Sequence, residues 1–415
     1  MKRICVVTAG HLSTCPRMLK AADALAGAGY RVRLISTRHV AWAFEADRDV
    51  CRRRAGLWEW TEVDYSRRTG SSLRRWSGMR FRAAQAIARA AGPERVPRAV
   101  ALRGYARVHP ELVAAITAEP ADLVYGGTTG ALAAVAEGAR RIGAPYALDL
   151  EDLHSAEQDD SPEARLAHAL AARIERTVLH GAAFLTTSSP AIAAAYAEHY
   201  GVYPRPIHNT FPLPARAPEA MPSLGEGLSL YWFSQTIGPH RGLEDVVRAM
   251  GTAEIPGELH LRGRPIPDYL EALQRRCDET APRLKLVLHP PLPPDDMVES
   301  CAGYDAGLSL EQGHVLSRAL CLTNKAFTYI LAGLPVVFTD TPGQRPLAED
   351  LGAAAWRYPL GDVDGLAAGL RRWSEDKPLL ARAKAAAWEA ARRRWHWEHP
   401  DDRGALLEAV AGALR

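Results

Sequence analysis

Residues 1–40 read MKRICVVTAGHLSTCPRMLKAADALAGAGYRVRLISTRHV. Arg3 to Thr8 encloses the apolar run ICVVT (4–8), the pattern of a strand buried on both faces. A helical pattern near 16–28 follows, and YRVRLIST (30–37) returns to strand character. Strand, helix and strand at this spacing make a βαβ unit, which requires a parallel sheet with helices on both faces. The apolar run at the N-terminus is too short for a secretory segment, which is why it reads as a first strand.

The cycle repeats along the chain. ADLVYGG (121–127), an Ala-rich helix over 128–142, PYALDL (145–150), a helix over 162–179, AFLTTSS (183–189), a helix near 190–199 and PIHN (206–209) extend the first unit. The proline-rich segment 210–227 carries no hydrophobic period and reads as a linker. Then LSLYWFSQT (228–236), RGLEDVVRAM (241–250), ELHLRG (258–263), a helix over 266–280, LKLVLH (284–289), AGLSLE (306–311) and KAFTYILAGLPVVFTD (325–340) restart it. Helices over 363–392 and 402–414 close the chain. The expected architecture is α/β: two doubly wound parallel-sheet domains over 1–212 and 213–394, with 395–415 returning to the first and ligands bound between their carboxyl edges.

Composition agrees with a globular protein: 415 residues, 47% hydrophobic and 24% charged, exceed what one core organises. Six scattered cysteines without C-x-x-C spacing argue against a disulfide framework or a zinc site and favour a reducing cytoplasm. No window has the 18 to 20 apolar residues of a membrane span. The net charge of +3 hides an uneven distribution, since eleven arginines lie between Arg67 and Arg107 against one acid, Glu94. Interleaved Leu73, Trp76, Met79, Phe81, Ile87 and Val96 allow two readings of that region, a solvated helical face or a basic amphipathic surface for anionic headgroups at the inner face of a membrane. No aromatic platform accompanies the charge, so nucleic acid is not expected as a partner.

Neither unit has G-x-G-x-x-G after its first strand, and no P-loop occurs, which removes the dehydrogenase and nucleoside-triphosphatase readings. Two segments remain able to hold a diphosphate. In SQTIGPHRGLEDVVRAM (234–250) a strand ends in a loop where Gly238 admits close backbone approach and Arg241 stands near a helix start. In CLTNKAFTYILAGLPVVFTDTPGQ (321–344) Asn324 is placed to cap a helix, Lys325 and Thr328 lie three apart on one face, and Gly333-Leu334-Pro335 closes it. Each also admits a purely structural reading, as a turn and as a well-capped helix.

The chain resembles retaining glycosyltransferase family 4. NKAFTYILAGLPVV is similar to that family's N-K-x-F-E-Y-x-x-A-G-x-P-V, RGLEDVVRAM to its K/R-G stretch, CPRMLKAADALAGAGYRVRLIST to its opening, and ALDLEDLHS to its D-x-x-D turn; DVDGLAAGLRRW (362–373) and HWEHP (396–400) follow in the family's order. The resemblance implies the two-domain Rossmann-like GT-B fold, a nucleotide-diphosphate sugar on the second domain, an acceptor on the first, and no cofactor or metal. It places Arg241 and Lys325 on the leaving diphosphate, with Gln235, Thr236, Gly238, Gly263, Glu311, Asn324 and Thr328 around the donor. Gly10, Arg17 and Gly127 fall to the acceptor, and Asp149, Asp152 and His154 to orienting it or stabilising charge.

Three departures accompany it. The family's G-R pair falls on Gln235 and Thr236, so one diphosphate cation is missing. Its Glu-x7-Glu acids fall on Leu320 and Thr328, leaving Glu311 upstream as the nearby carboxylate. Asp122 leads to Gly127 where a histidine often stands, and His154 is the nearby imidazole. The expected reaction is retaining sugar transfer to a glycan, lipid-linked or small-molecule acceptor. A non-catalytic subunit binding nucleotide or glycan, and a sugar-nucleotide epimerase, are the alternatives.

Overall fold

A strand inside a parallel sheet needs apolar side chains on both faces, and β1 (Arg3–Thr8) meets this with every residue after Arg3 buried. The computed structural model describes residues 1–67, 72–159, 161–216 and 227–415. It sets β1 inside a seven-stranded sheet with β2 (Arg31–Arg38), β3 (Glu59–Asp64), β4 (Leu123–Gly127), β5 (Tyr146–Leu150), β6 (Leu185–Thr187) and β7 (Arg205–Pro206). The order is β3-β2-β1-β4-β5-β6-β7 and every pairing is parallel.

The second sheet has six parallel strands: β8 (Leu228–Ile237), β9 (Gly257–Pro265), β10 (Leu284–His289), β11 (Ala306–Ser309), β12 (Val336–Thr339) and β13 (Ala355–Tyr358), in the order β10-β9-β8-β11-β12-β13. Successive side chains of a strand point to opposite faces, and β8 shows the result: Leu228, Leu230 and Trp232 join one core cluster while Tyr231 joins the other. The expected α/β class with two doubly wound parallel sheets is what the chain adopts.

Contacts divide the chain into two units. One holds Met1–His208, Val315–Ser317 and Pro400–Arg415, and the other Asn209–His314 and Arg318–His399. Each sheet has one switch point, where consecutive strands depart in opposite directions, between β1 and β4 in the first and β8 and β11 in the second. Loops leaving the carboxyl ends of such strands diverge and open a crevice in each unit.

Several local expectations need correction. The PIHN strand is shorter and earlier, since β7 ends at Pro206. Asn324 is the first residue of the helix Asn324–Leu331, not its cap; Thr323 holds that position and makes no side-chain capping bond. The linker expected at 210–227 falls largely on 217–226, which lie outside the described residues, as does Arg68 of the basic stretch. Of its other arginines, Arg74, Arg75, Arg80, Arg82 and Arg89 lie on the helix Ser72–Ala91 and Arg98 and Arg103 on the helix Arg98–Tyr105. The six cysteines are free thiols.

Candidate functional site

In the second unit, β8 continues past a bulge between Phe233 and Thr236 and ends at Ile237, so Gln235 and Thr236 remain in the strand and are exposed. Gly263 pairs beside that bulge with φ +150°, where a Cβ would lie 2.4 Å from the Ser234 carbonyl oxygen. After Ile237 the chain turns through His240 and Gly242, both left-handed, into the helix Leu243–Ala253. Gly242 is the residue this turn requires: a Cβ there would stand 2.7 Å from Leu310 Cβ and 3.0 Å from its oxygen. Gly238, expected to allow the close approach, faces only the flexible end of Ile266 at 2.8 Å.

Glu311 follows β11 at the same switch point and is buried. Its Oε1 accepts from Lys325 Nζ at 2.7 Å, both side chains being less than a tenth exposed, and its Oε2 lies 3.6 Å from Arg318 Nη1. Burial alone would raise the Glu311 pKa. Lys325 and Arg318 outweigh it, with help from Arg241, and hold the carboxyl below its usual range. Burial and the neighbouring Arg318 lower the Arg241 pKa. Three cations thus surround one carboxylate.

Beneath this cluster the fully buried Gln344 ties the strand ends together. Its amide donates to the Thr339 carbonyl at 3.1 Å and accepts from Ser309, while Thr339 Oγ1 donates to the Glu311 carbonyl at 2.7 Å. The backbone carrying Glu311 is therefore fixed to both β11 and β12. Neither Arg318 nor Gln344 has a signature in the sequence: the first lies in the short helix Leu316–Leu320, and the second follows the Thr341-Pro342-Gly343 turn without a motif. Thr328 departs from expectation, because it is fully buried and donates to the Asn324 carbonyl of its own helix at 2.8 Å, leaving no hydroxyl for a ligand. Lys325 and Thr328 therefore do not act together. Gly333, with φ +72°, closes the helix as expected, with Leu334 N donating to Tyr329 O at 2.9 Å.

In the first unit, Arg17 and Asp149 form a buried bidentate pair, with Arg17 Nε donating to Asp149 Oδ2 at 2.8 Å. The guanidinium also reaches the Ile207 carbonyl at 2.6 Å, and Thr186 donates to Asp149 at 2.6 Å. Both carboxylate oxygens are occupied and Asp149 is 1% exposed, so it has no oxygen free for an acceptor hydroxyl. Gly127 stands against it, where a Cβ would be 2.9 Å from Asp149 Cβ. These three residues form one packed anchor across β4, β5 and the first helix.

Around the anchor lie the loops of the switch point. Gly10 N donates to Thr8 Oγ1, and a Cβ at 10 would meet Cys15 Sγ at 2.6 Å. Thr128, left-handed at φ 77°, accepts from Ala9 N at 3.1 Å, so the loops after β1 and β4 are joined by a strained residue. His11, which carried no expectation, is buried with Nδ1 on Asp47 and Nε2 accepting from the Val40 amide at 3.0 Å. His154 is 3% exposed, with Nδ1 shared by Glu157 and Thr129 and with Nε2 buried without a partner. Burial would depress its pKa, but Glu157, Glu175 and Asp152 push it up to about 9, so the ring is an imidazolium at neutral pH. Burial pushes the neighbouring Glu151 carboxyl up, against Arg17 and with Asp152 and Asp149. Among the described residues, no three His, Cys, Asp or Glu side chains are grouped to hold a metal ion.

Residues 16–210 match the family described as Glycosyl transferase 4-like domain. Among curated proteins none matches the chain. Solved structures share its fold over its whole length. HepE of Anabaena, crystallised with UDP, is 16% identical with a TM-score of 0.65, covering 100% of this chain and 99% of that one. A glycosyltransferase of Rickettsia africae is 9% identical with a TM-score of 0.66 over the same shares. TarM of S. aureus, in a complex with fondaparinux, alpha-GlcNAc-glycerol and UDP, is 8% identical with a TM-score of 0.66, covering all of both chains. Residues 16–210 are thus similar to a glycosyl transferase 4-like domain, and the two doubly wound parallel sheets share the GT-B fold of these glycosyltransferases over the whole chain.

Proposed function

We propose that the chain transfers a sugar from a nucleotide-diphosphate sugar held by the second unit to a glycan, lipid-linked or small-molecule acceptor held by the first. The configuration at the anomeric carbon is retained, and no metal or cofactor takes part. The observation that carries this reading is the surplus of charge at the second switch point, where Arg241 and Lys325 face the one carboxylate of Glu311. A leaving diphosphate needs that kind of compensation, and fixed cations in a partly dehydrated crevice supply it where a divalent ion otherwise would. Similar proteins support the ligand class: HepE has been crystallised with UDP, with UDP and glucose, and with UDP-glucose.

In this reading Arg241 and Lys325 stabilise the departing diphosphate as the anomeric carbon becomes oxocarbenium-like, and a phosphate oxygen takes the proton of the acceptor hydroxyl. Glu311 replaces Thr328 as the partner of the ribose hydroxyls and holds Lys325 until the phosphate arrives. Gln235, Thr236, Gly238 and Gly263 shape the donor wall. Asp152 and His154 orient the acceptor beside Gly10, while Arg17, Asp149 and Gly127 position that loop.

The helix Ser72–Ala91 adds the place of work. Trp76 is 66%, Met79 47% and Ile87 48% exposed, and Arg75, Arg82 and Arg89 recur at seven-residue spacing beside them. Apolar side chains flanked by arginines favour an anionic bilayer surface, here the cytoplasmic face. Among the described residues no helix is long and apolar enough to cross a membrane.

The test is nucleoside-diphosphate release from a panel of UDP-, GDP-, ADP- and dTDP-sugars, with and without acceptors and chelator. Acceptor-stimulated release that survives chelation and falls in Arg241→Ala and Lys325→Ala supports the proposal. Binding without turnover makes the chain a nucleotide-binding subunit, and loss of release on chelation overturns the metal-free mechanism.

A further inference from the structure

Away from the switch-point loops, the first unit has a groove of about 480 Å³ between the helices Arg98–Tyr105, His109–Thr117 and Leu132–Ile142. Its walls carry Arg98, Arg103, Arg140 and Arg141 against a single acid, Glu137, over an apolar floor that includes Leu102 and Val113. Arg141 is paired with Glu137, and Arg103 donates to the Ala99 carbonyl of its own helix at 2.8 Å. Among the described residues, Arg98 and Arg140 have no carboxylate within ion-pair distance, although both are close enough to act on Tyr146. Like charges gathered in a concave site without counter-charge repel one another, and the arrangement gains only when an anion enters.

A second, independent feature lies on the same wall. His109, 3% exposed, opens the helix His109–Thr117, with Nε2 on Glu137 at 3.0 Å and with Nδ1 buried and without a hydrogen-bond partner. Buried polar atoms are normally satisfied, so an orphaned ring nitrogen in a basic groove marks a place for a ligand atom. The first amides of that helix add the positive end of its dipole to the site.

We propose that this groove is an anion site for a phosphate group, distinct from the donor crevice. Arg98 and Arg140 grip the anionic oxygens as charge-assisted donors, and His109 Nδ1, an acceptor while Nε2 donates to Glu137, takes a hydroxyl of the group. The phosphate can arrive free in solution or as the headgroup of a lipid, and the two sources share this chemistry. The groove is open to either, because Arg98, Arg140 and Arg141 are exposed.

The experiment uses the full chain carrying Arg241→Ala and Lys325→Ala, so that the donor crevice does not compete and failure of the donor reading leaves the result intact. Calorimetric titration with inorganic pyrophosphate, and separately with short-chain phosphatidylglycerol below its micelle concentration, probes the two sources without a bilayer. Adding Arg98→Ala and Arg140→Ala, surface changes checked by an unchanged melting temperature, is expected to weaken binding by about a hundred-fold. Loss of pyrophosphate binding supports a free phosphate ligand, and loss of binding of the lipid alone supports a headgroup. If neither probe binds, or both bind undiminished in the added variants, the proposal is overturned.

Discussion

The two switch points occupy equivalent places in their sheets and treat charge in opposite ways. In the first unit the Arg17 and Asp149 pair is buried, bidentate, and completed by Thr186 and the Ile207 carbonyl. In the second, Glu311 faces both Lys325 and Arg241, which leaves positive charge over. A balanced cluster holds a loop still, whereas an unbalanced one waits for a ligand. In the proposed function the contrast separates a positioning role for Asp149 from a binding role for Arg241, although both sit at carboxyl ends of parallel strands.

The largest effect should break the balanced side. Arg17→Ala leaves Asp149 buried and unpaired, a loss of about 3–5 kcal/mol, read as a fall in melting temperature on the order of 10 °C. Arg17→Ala with Asp149→Ala should lose less than the two single changes summed. Unchanged melting with lost turnover would instead make the first switch point a chemical site and erase the contrast.

On the unbalanced side, Arg241→Ala should lower turnover by about 10²–10³-fold with little change in melting temperature. Glu311→Gln frees Lys325 from its carboxylate, and tighter nucleotide binding with a weaker preference for ribose over deoxyribose would sharpen the same point.

Next comes a pH effect in the first unit. The folded His154 pKa of about 9 lies above the unfolded value, so the stability it contributes is present below about pH 6.5 and is lost as pH rises through 9. The charged groups facing it are Glu157, Glu175, Asp152 and Glu151, whose own carboxyl is pushed up to about 7 mainly by burial. Between pH 6 and pH 9.5 this group should cost the wild type about 3 kcal/mol of stability by chemical denaturation, and Glu157→Gln should lose less. A slope unchanged by the substitution would place the titration elsewhere.

The smallest effect tests the turn that presents Arg241. Gly242→Ala forces a left-handed residue against Leu310 and should cost about 1–2 kcal/mol while loosening nucleotide binding several-fold. Asp362→Ala is the control outside the site, since it removes only the cap bond to Gly365 N at 2.9 Å, for about 1 kcal/mol.

Central strands were legible because burial on both faces writes them as continuous apolar runs, as in Ile4-Cys5-Val6-Val7 and Val336-Val337-Phe338. Two of the edge strands, β3 and β13, were not, whereas the edge strand β10 kept its run Leu-Lys-Leu-Val-Leu-His. The residues of β3, Glu-Trp-Thr-Glu-Val-Asp, are mostly half-exposed and show no apolar run, and Ala-Trp-Arg-Tyr of β13 is similar. Site residues that rest on backbone shape, such as the Arg241 loop, left a local trace in glycine and helix-start chemistry. Those that meet only through the fold did not. Glu311 and Lys325 lie fourteen apart and converge because β11 and the helix Asn324–Leu331 meet at one switch point, and Thr328 turned inward because its hydroxyl satisfies a carbonyl one turn back. His154 was visible as an imidazole, but its charge depends on Glu157, three residues on, and on Glu175.

The last residues of the chain belong to the first unit. Asp402, fully buried, accepts from the His208 amide at 2.7 Å, and Arg205 pairs with Glu408. During synthesis the ribosome therefore releases the whole second unit before the first receives its final piece. Until then the His208 amide lacks its acceptor and the apolar face of Leu406 and Val410 has not arrived. A ribosome stalled late in the message would hold a second unit able to fold and a first one still open, exposing the nascent chain to proteases on its earliest-made half.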